Sequence, residues 1–203
     1  MPMKLYCSRT SPYARKVRVA LEELGLAGDV EEIVVDPFAP TPEFLAANPL
    51  SKIPTLLTER GEALPDSRLI LDYLMHRKSG LGPLGRGARR WEVLRRTQIA
   101  EGVIDAAVGT VLERRRPESI QYIPFLDRQS EIIRRALDAL NGDAGHLALE
   151  HPGACEITCG VALGYLDFRL PYLEWRKGRD GLAHWYTVFA QRPSMQKTQP
   201  PAA

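Results

Sequence analysis

The sequence is short of cysteine, of net charge and of long apolar runs, and each shortage closes off a class of protein. Three cysteines in 203 residues are an odd number without the spacing of a disulfide framework. That pattern fits a reducing compartment, and a cytoplasmic location is expected. Twenty-seven basic side chains against 25 acidic ones leave a net charge of +2, which makes no electrostatic case for nucleic acid. The one basic run, Arg114-Arg115-Arg116, has no aromatic residues interleaved and reads as a solvated helix end. No apolar stretch approaches the roughly 20 residues needed to cross a bilayer, so no membrane partner is expected. Met1 to Tyr6 runs directly into a strand-like pattern and lacks the apolar core of a signal peptide. No internal repeat is present. His151, Cys155 and Cys159 stand four apart, but Pro152 and Gly153 put His151 outside the helix that follows. No fourth ligand is spaced for zinc, so the cysteines read as core residues and no metal is expected.

What is there is an ordinary globular composition, 44% hydrophobic, with two kinds of periodicity in order. Lys4-Leu5-Tyr6 reads as a first strand. Ser11 is an N-cap ahead of Pro12, and Val17, Ala20, Leu21 and Leu24 carry a helix that Gly25 stops. Val30 to Val35 is a second strand, and Thr41-Pro42-Glu43 opens a short helix ending near Asn48. Thr55 to Thr58 is a third strand, with a hairpin at Gly61 leading to Glu62-Ala63-Leu64. Ser67, Ile70, Leu71 and Leu74 then form a helix ending by Gly80, which completes the order βαβ, α, ββα. Residues 79–87 hold four glycines in nine positions, which marks a domain boundary. Everything beyond reads as helix, starting with a stripe of Val93, Ala100, Ile104, Ala107 and Val111 and a second one of Ile133, Ala136, Leu137 and Leu140. A third segment, about 154–168, is apolar almost all round and is expected at the centre of a bundle. A last helix over Leu182 to Phe189 is closed by Arg192-Pro193-Ser194. The division expected is a first domain over 1–79, a linker over 80–87 and an all-helical domain over 88–203. Arg15 and Lys16 are read as part of a solvated helix face.

The chain is organised around Asn48-Pro49-Leu50-Ser51-Lys52-Ile53-Pro54. Pro54 heads a strand to which it cannot donate a ladder hydrogen bond. One use of X-Pro at such a point is a cis bond that turns the preceding backbone outward. Ile53 would then offer its N–H and C=O to an extended peptide-like ligand, as in strand addition. Asp66-Ser67 opens a helix whose unpaired N–H groups suit a carboxylate. A peptide-docking edge beside an anion-binding helix end suits glutathione.

Asn48-Pro49 followed by Lys52-Ile53-Pro54 and then Asp66-Ser67 resembles the glutathione-binding half of a cytosolic glutathione S-transferase. Ser11-Pro12-Tyr13 resembles the Ser-Pro-aromatic turn of the family's serine-type members, and the Arg192-Pro193-Ser194 ending is similar to its C-terminal signature. Gly153, where the family usually carries Ser or Thr as helix cap, is a departure. The resemblance spans about residues 3–198. It implies an α/β thioredoxin-like N-terminal domain plus an all-α C-terminal helical bundle, a homodimer, and glutathione as a substrate transferred to a small, mainly apolar electrophile.

Ser11 is the residue expected to activate the thiol. A free thiol has a pKa of about 8.5, and lowering it by about 2 units needs roughly 2.7 kcal/mol. A hydroxyl hydrogen bond to an anionic sulfur supplies roughly 1.5–3 kcal/mol, and a helix N-terminus roughly 0.3–1 more. Ser8 and Thr10 are alternative hydroxyls. Cys7 is the alternative chemistry, a thiol reductase or lyase, although it precedes the helix by four residues and reads as a buried small residue. The resemblance further implies Lys52 at the glycine carboxylate of glutathione, Ile53 and Pro54 at its cysteinyl backbone, and Asp66 and Ser67 at its γ-glutamyl end. It places the second substrate near Tyr13, Ile104 and Val108. The same site can serve isomerisation, dehalogenation or ether cleavage, or the fold can be an interaction module without catalysis.

Overall fold

The computed structural model describes residues 2–79 and 89–201, so the linker expected over 80–87 lies outside the described residues. The chain forms two compact units, Met1–Gly85 with Pro193–Ala203, and Arg86–Arg192.

The first unit is a four-stranded sheet in the order β2-β1-β3-β4, with helices. Its strands are β1 (Met3–Cys7), β2 (Val30–Val34), β3 (Thr55–Leu57) and β4 (Ala63–Pro65). β2 runs parallel to β1, whereas β3 is antiparallel to both β1 and β4. A parallel pair needs a crossover, and α1 (Pro12–Glu23) supplies it. Alternation along β1 sends Met3, Leu5 and Cys7, all without exposed surface, to one face. Tyr6 goes to the other, where its ring lies 5.4 Å from that of Phe44 in α2 (Pro42–Ala47). α3 (Ser67–Ser79) packs on α1 and buries Ile70, Leu71 and Leu74. The thioredoxin-like half expected from the βαβ, α, ββα order is therefore the fold observed.

Two expectations are corrected here. The residues after Pro193 do not belong to the helical domain. α8 (Pro193–Lys197) packs on α1 in the first unit. Arg15 donates to the Met195 carbonyl at 3.1 Å, Arg18 to the Thr198 carbonyl at 3.4 Å, and Lys197 pairs with Glu22 at 2.8 Å. Ser194 donates to the Glu23 carboxylate as well. Consequently Arg15 and Lys16 are not a solvated face: both are buried, Arg15 against the Met195 carbonyl and Lys16 with its ammonium 5.7 Å from the Tyr13 ring centre. Helical periodicity could not reveal this, because the carbonyl that receives Arg15 comes from 180 residues away.

The second unit holds α4 (Arg89–Arg114), α5 (Ile123–Gly142), α6 (Ala154–Arg169) and α7 (Asp180–Phe189). α4 packs on both α5 and α6. Every residue of α6 from Ala154 to Leu166 except Glu156 is buried, so it is the central helix that its composition implied. Gly153 caps it without a side chain, yet the acidic half of the capping box is made: Glu156 accepts from the Gly153 N–H at 2.9 Å and from the Ala148 N–H at 3.3 Å. Gly160 in the middle of α6 has a different reason. A Cβ there would stand 2.4 and 2.5 Å from two ring atoms of Phe189, and Phe189 is itself stacked on Trp185 at 4.6 Å. Gly160→Ala is expected to destabilise the helical unit by about 1–3 kcal/mol through overpacking, read as a lowered midpoint of urea unfolding. No helix among the described residues is long and apolar enough to cross a membrane.

Candidate functional site

Three segments carry the residues singled out from the sequence, and the sheet register brings them to one end of the first unit. β1 finishes at Cys7, just before the turn that leads to Ser11. β3 begins at Thr55, just after Ile53-Pro54, and β4 finishes at Pro65, just before Asp66-Ser67. Tyr6 pairs with Thr55 and Thr55 with Pro65. Adjacent strands lie roughly 5 Å apart, so this single row fixes all three loops side by side. The antiparallel run of β3 is what turns its beginning toward the ends of its neighbours.

Ser11 caps α1. Its Oγ accepts the Ala14 N–H at 3.3 Å and Pro12 takes the first helical position. A hydroxyl that accepts one bond still has its own proton to donate, and here that proton sits at the positive end of the helix dipole. The turn is tied behind it, with the Ser11 N–H on the Ser8 carbonyl at 3.2 Å and the Ser8 and Thr10 hydroxyls 3.3 Å apart. The two alternative hydroxyls are thus engaged with one another. Cys7 has no exposed surface, and burial, helped by the nearby Glu32 carboxylate, pushes its thiol up to about 11. Cys155 in α6 is likewise pushed up to about 11, chiefly by burial. Thiols kept neutral in the fold but ionising near 9 once unfolded stabilise the protein fully below that value. Stability is therefore expected to fall as pH rises from about 9 to about 11. At neutral pH all three cysteines should resist alkylation until denaturant is added, as counted by mass spectrometry with iodoacetamide.

The loop before β3 is built on Asn48. This side chain is fully buried and donates to the Lys52 carbonyl and to Thr55 Oγ1, each at 2.9 Å, while accepting from the Leu50 N–H at 3.0 Å. Thr55 Oγ1 donates to the same Lys52 carbonyl at 3.0 Å. Ser51, in the left-handed region at φ 51°, donates to the Pro37 carbonyl at 3.0 Å. The Ile53-Pro54 bond is cis and Pro54 is buried. Among the described residues, neither main-chain group of Ile53 is taken by a hydrogen bond. Lys52 is exposed.

Asp66 stands at the start of α3 in the left-handed region, φ 77°. Its carbonyl accepts the first helical bond from Ile70 at 3.0 Å, and its carboxylate accepts the Arg68 N–H at 2.7 Å. A non-glycine residue held at positive φ costs of order 1 kcal/mol or more and is found disproportionately at ligand clamps. Asp66 is exposed while Ser67 beneath it is buried. What converges at this end of the sheet is a hydroxyl at one helix start, an unpaired peptide edge, and an acid with a hydroxyl at a second helix start.

The family model of the glutathione S-transferase N-terminal domain matches residues 5–82, and that of the C-terminal domain matches residues 123–187. The chain belongs to the glutathione S-transferase family. A glutathione transferase family member from Pseudomonas fluorescens Pf-5, whose crystal structure holds bound glutathione, is 40% identical, with a TM-score of 0.92 over 98% of this chain and 100% of that one. A second crystal structure from that strain, with bound S-(propanoic acid)-glutathione, is similar at 38% identity and a TM-score of 0.88 over 99% and 98% of the two chains. The GST-like protein YibF of Escherichia coli (strain K12) is 33% identical over 99% of this chain and 100% of its own. The stringent starvation protein A homolog of Pasteurella multocida (strain Pm70) is 32% identical over 61% of this chain and 62% of its own.

Within this glutathione S-transferase fold, Ser11, Lys52, Ile53, Pro54, Asp66 and Ser67 all lie on the first unit. Tyr13 is half-buried on α1, while on α4 of the second unit Ile104 is fully buried and Val108 half-buried. Sequence reasoning missed the role of Asn48. An asparagine seven residues before a strand's threonine is a signal only once both are known to be buried and bonded.

Proposed function

We propose that the protein is a glutathione transferase that binds glutathione along Ile53 and activates its thiol at Ser11 for attack on a small, mainly apolar electrophile. The observation that carries this reading is the aligned row Tyr6, Thr55, Pro65, which sets the Ser11 turn, the unpaired edge of Ile53 and the Asp66-Ser67 helix start side by side. The Ile53 N–H and C=O match the main-chain groups of the cysteinyl residue. The Asp66 carboxylate matches the γ-glutamyl ammonium, and Ser67 with the start of α3 its carboxylate. Lys52, exposed and cationic, matches the glycine carboxylate by charge. The bound glutathione of the Pseudomonas fluorescens Pf-5 family member supports the ligand, and the S-(propanoic acid)-glutathione of the second structure supports thioether products. Tyr13 is proposed to contact the electrophile, and the protein to act as a homodimer, which sedimentation equilibrium would measure.

The test is retention on immobilised glutathione followed by conjugation of a generic aryl halide, in the native protein and in Ser11→Ala. Retention with turnover that falls in the variant is the expected result. A second reading, a glutathione-binding interaction module, is favoured by the similarity to a stringent starvation protein A homolog. Retention with no turnover towards any electrophile would replace the transferase reading with it.

A further inference from the structure

α8 is a helix of five residues, far below the length at which a helix holds itself together in water. Its end explains why it forms. The last carbonyls of a helix have no partner within it. Here the Ser194 carbonyl accepts from the Thr198 hydroxyl at 2.7 Å and the Gln196 carbonyl from the Gln199 N–H at 3.3 Å. The Met195 carbonyl accepts from the Arg15 guanidinium at 3.1 Å, and that of Thr198, just beyond, from Arg18 at 3.4 Å. Two arginines of α1 thus supply the cations that suit a helix C-terminus. They lie on one stripe of α1. Arg15, Arg18 and Glu22 recur at helical spacing, Glu22 pairs with Lys197 at 2.8 Å, and Val19 on the same stripe has no exposed surface.

This grip meets the candidate site at the first turn of α1. The Ser11 carbonyl accepts the Arg15 N–H at 3.0 Å, and Ser11 Oγ accepts the Ala14 N–H at 3.3 Å. Residues 14 and 15 therefore set both the main chain and the hydroxyl of Ser11. Helix starts are otherwise prone to fray, being short of intrahelical bonds. Arg15 resists that fraying, because its N–H holds Ser11 while its buried guanidinium is fastened to a carbonyl 180 residues away. A catalytic group displaced by about 1 Å can cost roughly a hundredfold in rate. Arg15 stands about 6 Å along the helix axis from Ser11, whereas Glu22 stands about 16 Å away.

We propose that Arg15 is a positioning residue for Ser11: by bonding the Met195 carbonyl it fastens the first turn of α1 to α8 and holds the Ser11 hydroxyl on the sulfur of bound glutathione. The role rests on Ser11 being the group that activates the thiol. The experiment is a pH titration of the thiol of bound glutathione, followed by the ultraviolet absorbance of the thiolate after subtraction of the protein without ligand. It compares the native chain, Arg15→Met, Lys197→Ala, Ser11→Gly and the double variant Ser11→Gly with Arg15→Met. Arg15→Met is expected to raise the midpoint by about 1 unit, which leaves about tenfold less thiolate below the midpoint. Glutathione affinity at about pH 5, where the thiol is protonated in every variant, should stay within about threefold of native. Lys197→Ala, which breaks the ion pair at the far end of the same stripe, should titrate as the native chain does. In the Ser11→Gly background Arg15→Met should add no further shift, since the arginine acts through the hydroxyl. Should Arg15→Met fail to fold by circular dichroism, Arg15→Lys, which keeps the charge but loses the guanidinium fork, is held to the same criteria. An unchanged midpoint in the Arg15 variant, when the native complex titrates below free glutathione, overturns the proposal and leaves the transferase reading standing. An equal shift in the Ser11→Gly background would make the arginine's charge the cause, and an equal shift from Lys197→Ala would make it the docking of α8 as a whole; either overturns the proposal. A native complex that titrates like free glutathione overturns the assignment of Ser11, and the role of Arg15 with it.

Discussion

Ser11→Gly is expected to slow conjugation at neutral pH by roughly 10–100-fold, the factor that corresponds to losing a hydrogen bond of roughly 1.5–3 kcal/mol to an anionic sulfur. The sign with pH follows from the same bond. Without the hydroxyl the bound thiol titrates about 1–2 units higher, towards the roughly 8.5 of a free thiol. The deficit is therefore largest below neutrality and closes as pH rises past about 9, where the thiolate forms unaided. Glycine is the better replacement than alanine because Ser11 also caps α1 through Ala14. An N-cap glycine costs only a few tenths of a kcal/mol, whereas alanine costs roughly 0.5–2. A pH–rate profile beside a melting curve separates the two roles. If Ser11→Gly left the neutral rate intact while a Thr10 or Ser8 substitution abolished it, the hydroxyl would have been assigned to the wrong residue of the turn.

The second large effect is expected at Asn48, which touches no ligand in the proposed scheme. Asn48→Ala removes three hydrogen bonds from a fully buried side chain and leaves the Leu50 N–H without its acceptor. At about 1 kcal/mol per bond, the loss of three bonds is roughly 2–4 kcal/mol of stability. The same bonds hold the Lys52 carbonyl immediately before Ile53, so glutathione affinity should drop at least about tenfold in protein that remains folded, each 1.4 kcal/mol being a factor of ten. Asn48→Asp keeps an acceptor for the Leu50 N–H and loses both donations, and should fall between alanine and the native chain. Urea unfolding and glutathione titration of the same samples report the two effects. A stability change within about 0.5 kcal/mol for the alanine variant, the range of ordinary surface substitutions, would mean the loop is held by something else.

Much of the site was legible because its signals are local. Ser11 followed by Pro12, and Pro54 heading an apolar run, need only neighbouring residues to be read as a helix start and a strand start. The hairpin at Gly61, which has φ 82°, is likewise a local demand. Arg15 and Lys16 were misread for the opposite reason. On a helix with apolar residues at Val17, Ala20 and Leu21, two cations belong in solvent unless another element covers them. For Arg15 that cover is a five-residue helix near the C-terminus, whose Met195 carbonyl accepts its hydrogen bond. Asn48 was visible as a residue but not as a keystone, since its partners Lys52 and Thr55 acquire meaning only after burial removes water as a competitor.

By itself the sequence determined the order of elements, the family resemblance and the residue types available at each loop, because propensity and periodicity act over a few positions. Tertiary structure alone decided that β3 runs antiparallel, so that Tyr6, Thr55 and Pro65 fall in one row. It also decided that residues from Pro193 onward close over α1 rather than extend the helical unit. The physical reason is common to both: strand register and a carbonyl bonded across 180 residues depend on which distant backbone groups meet away from water, and no pattern along the chain encodes that meeting.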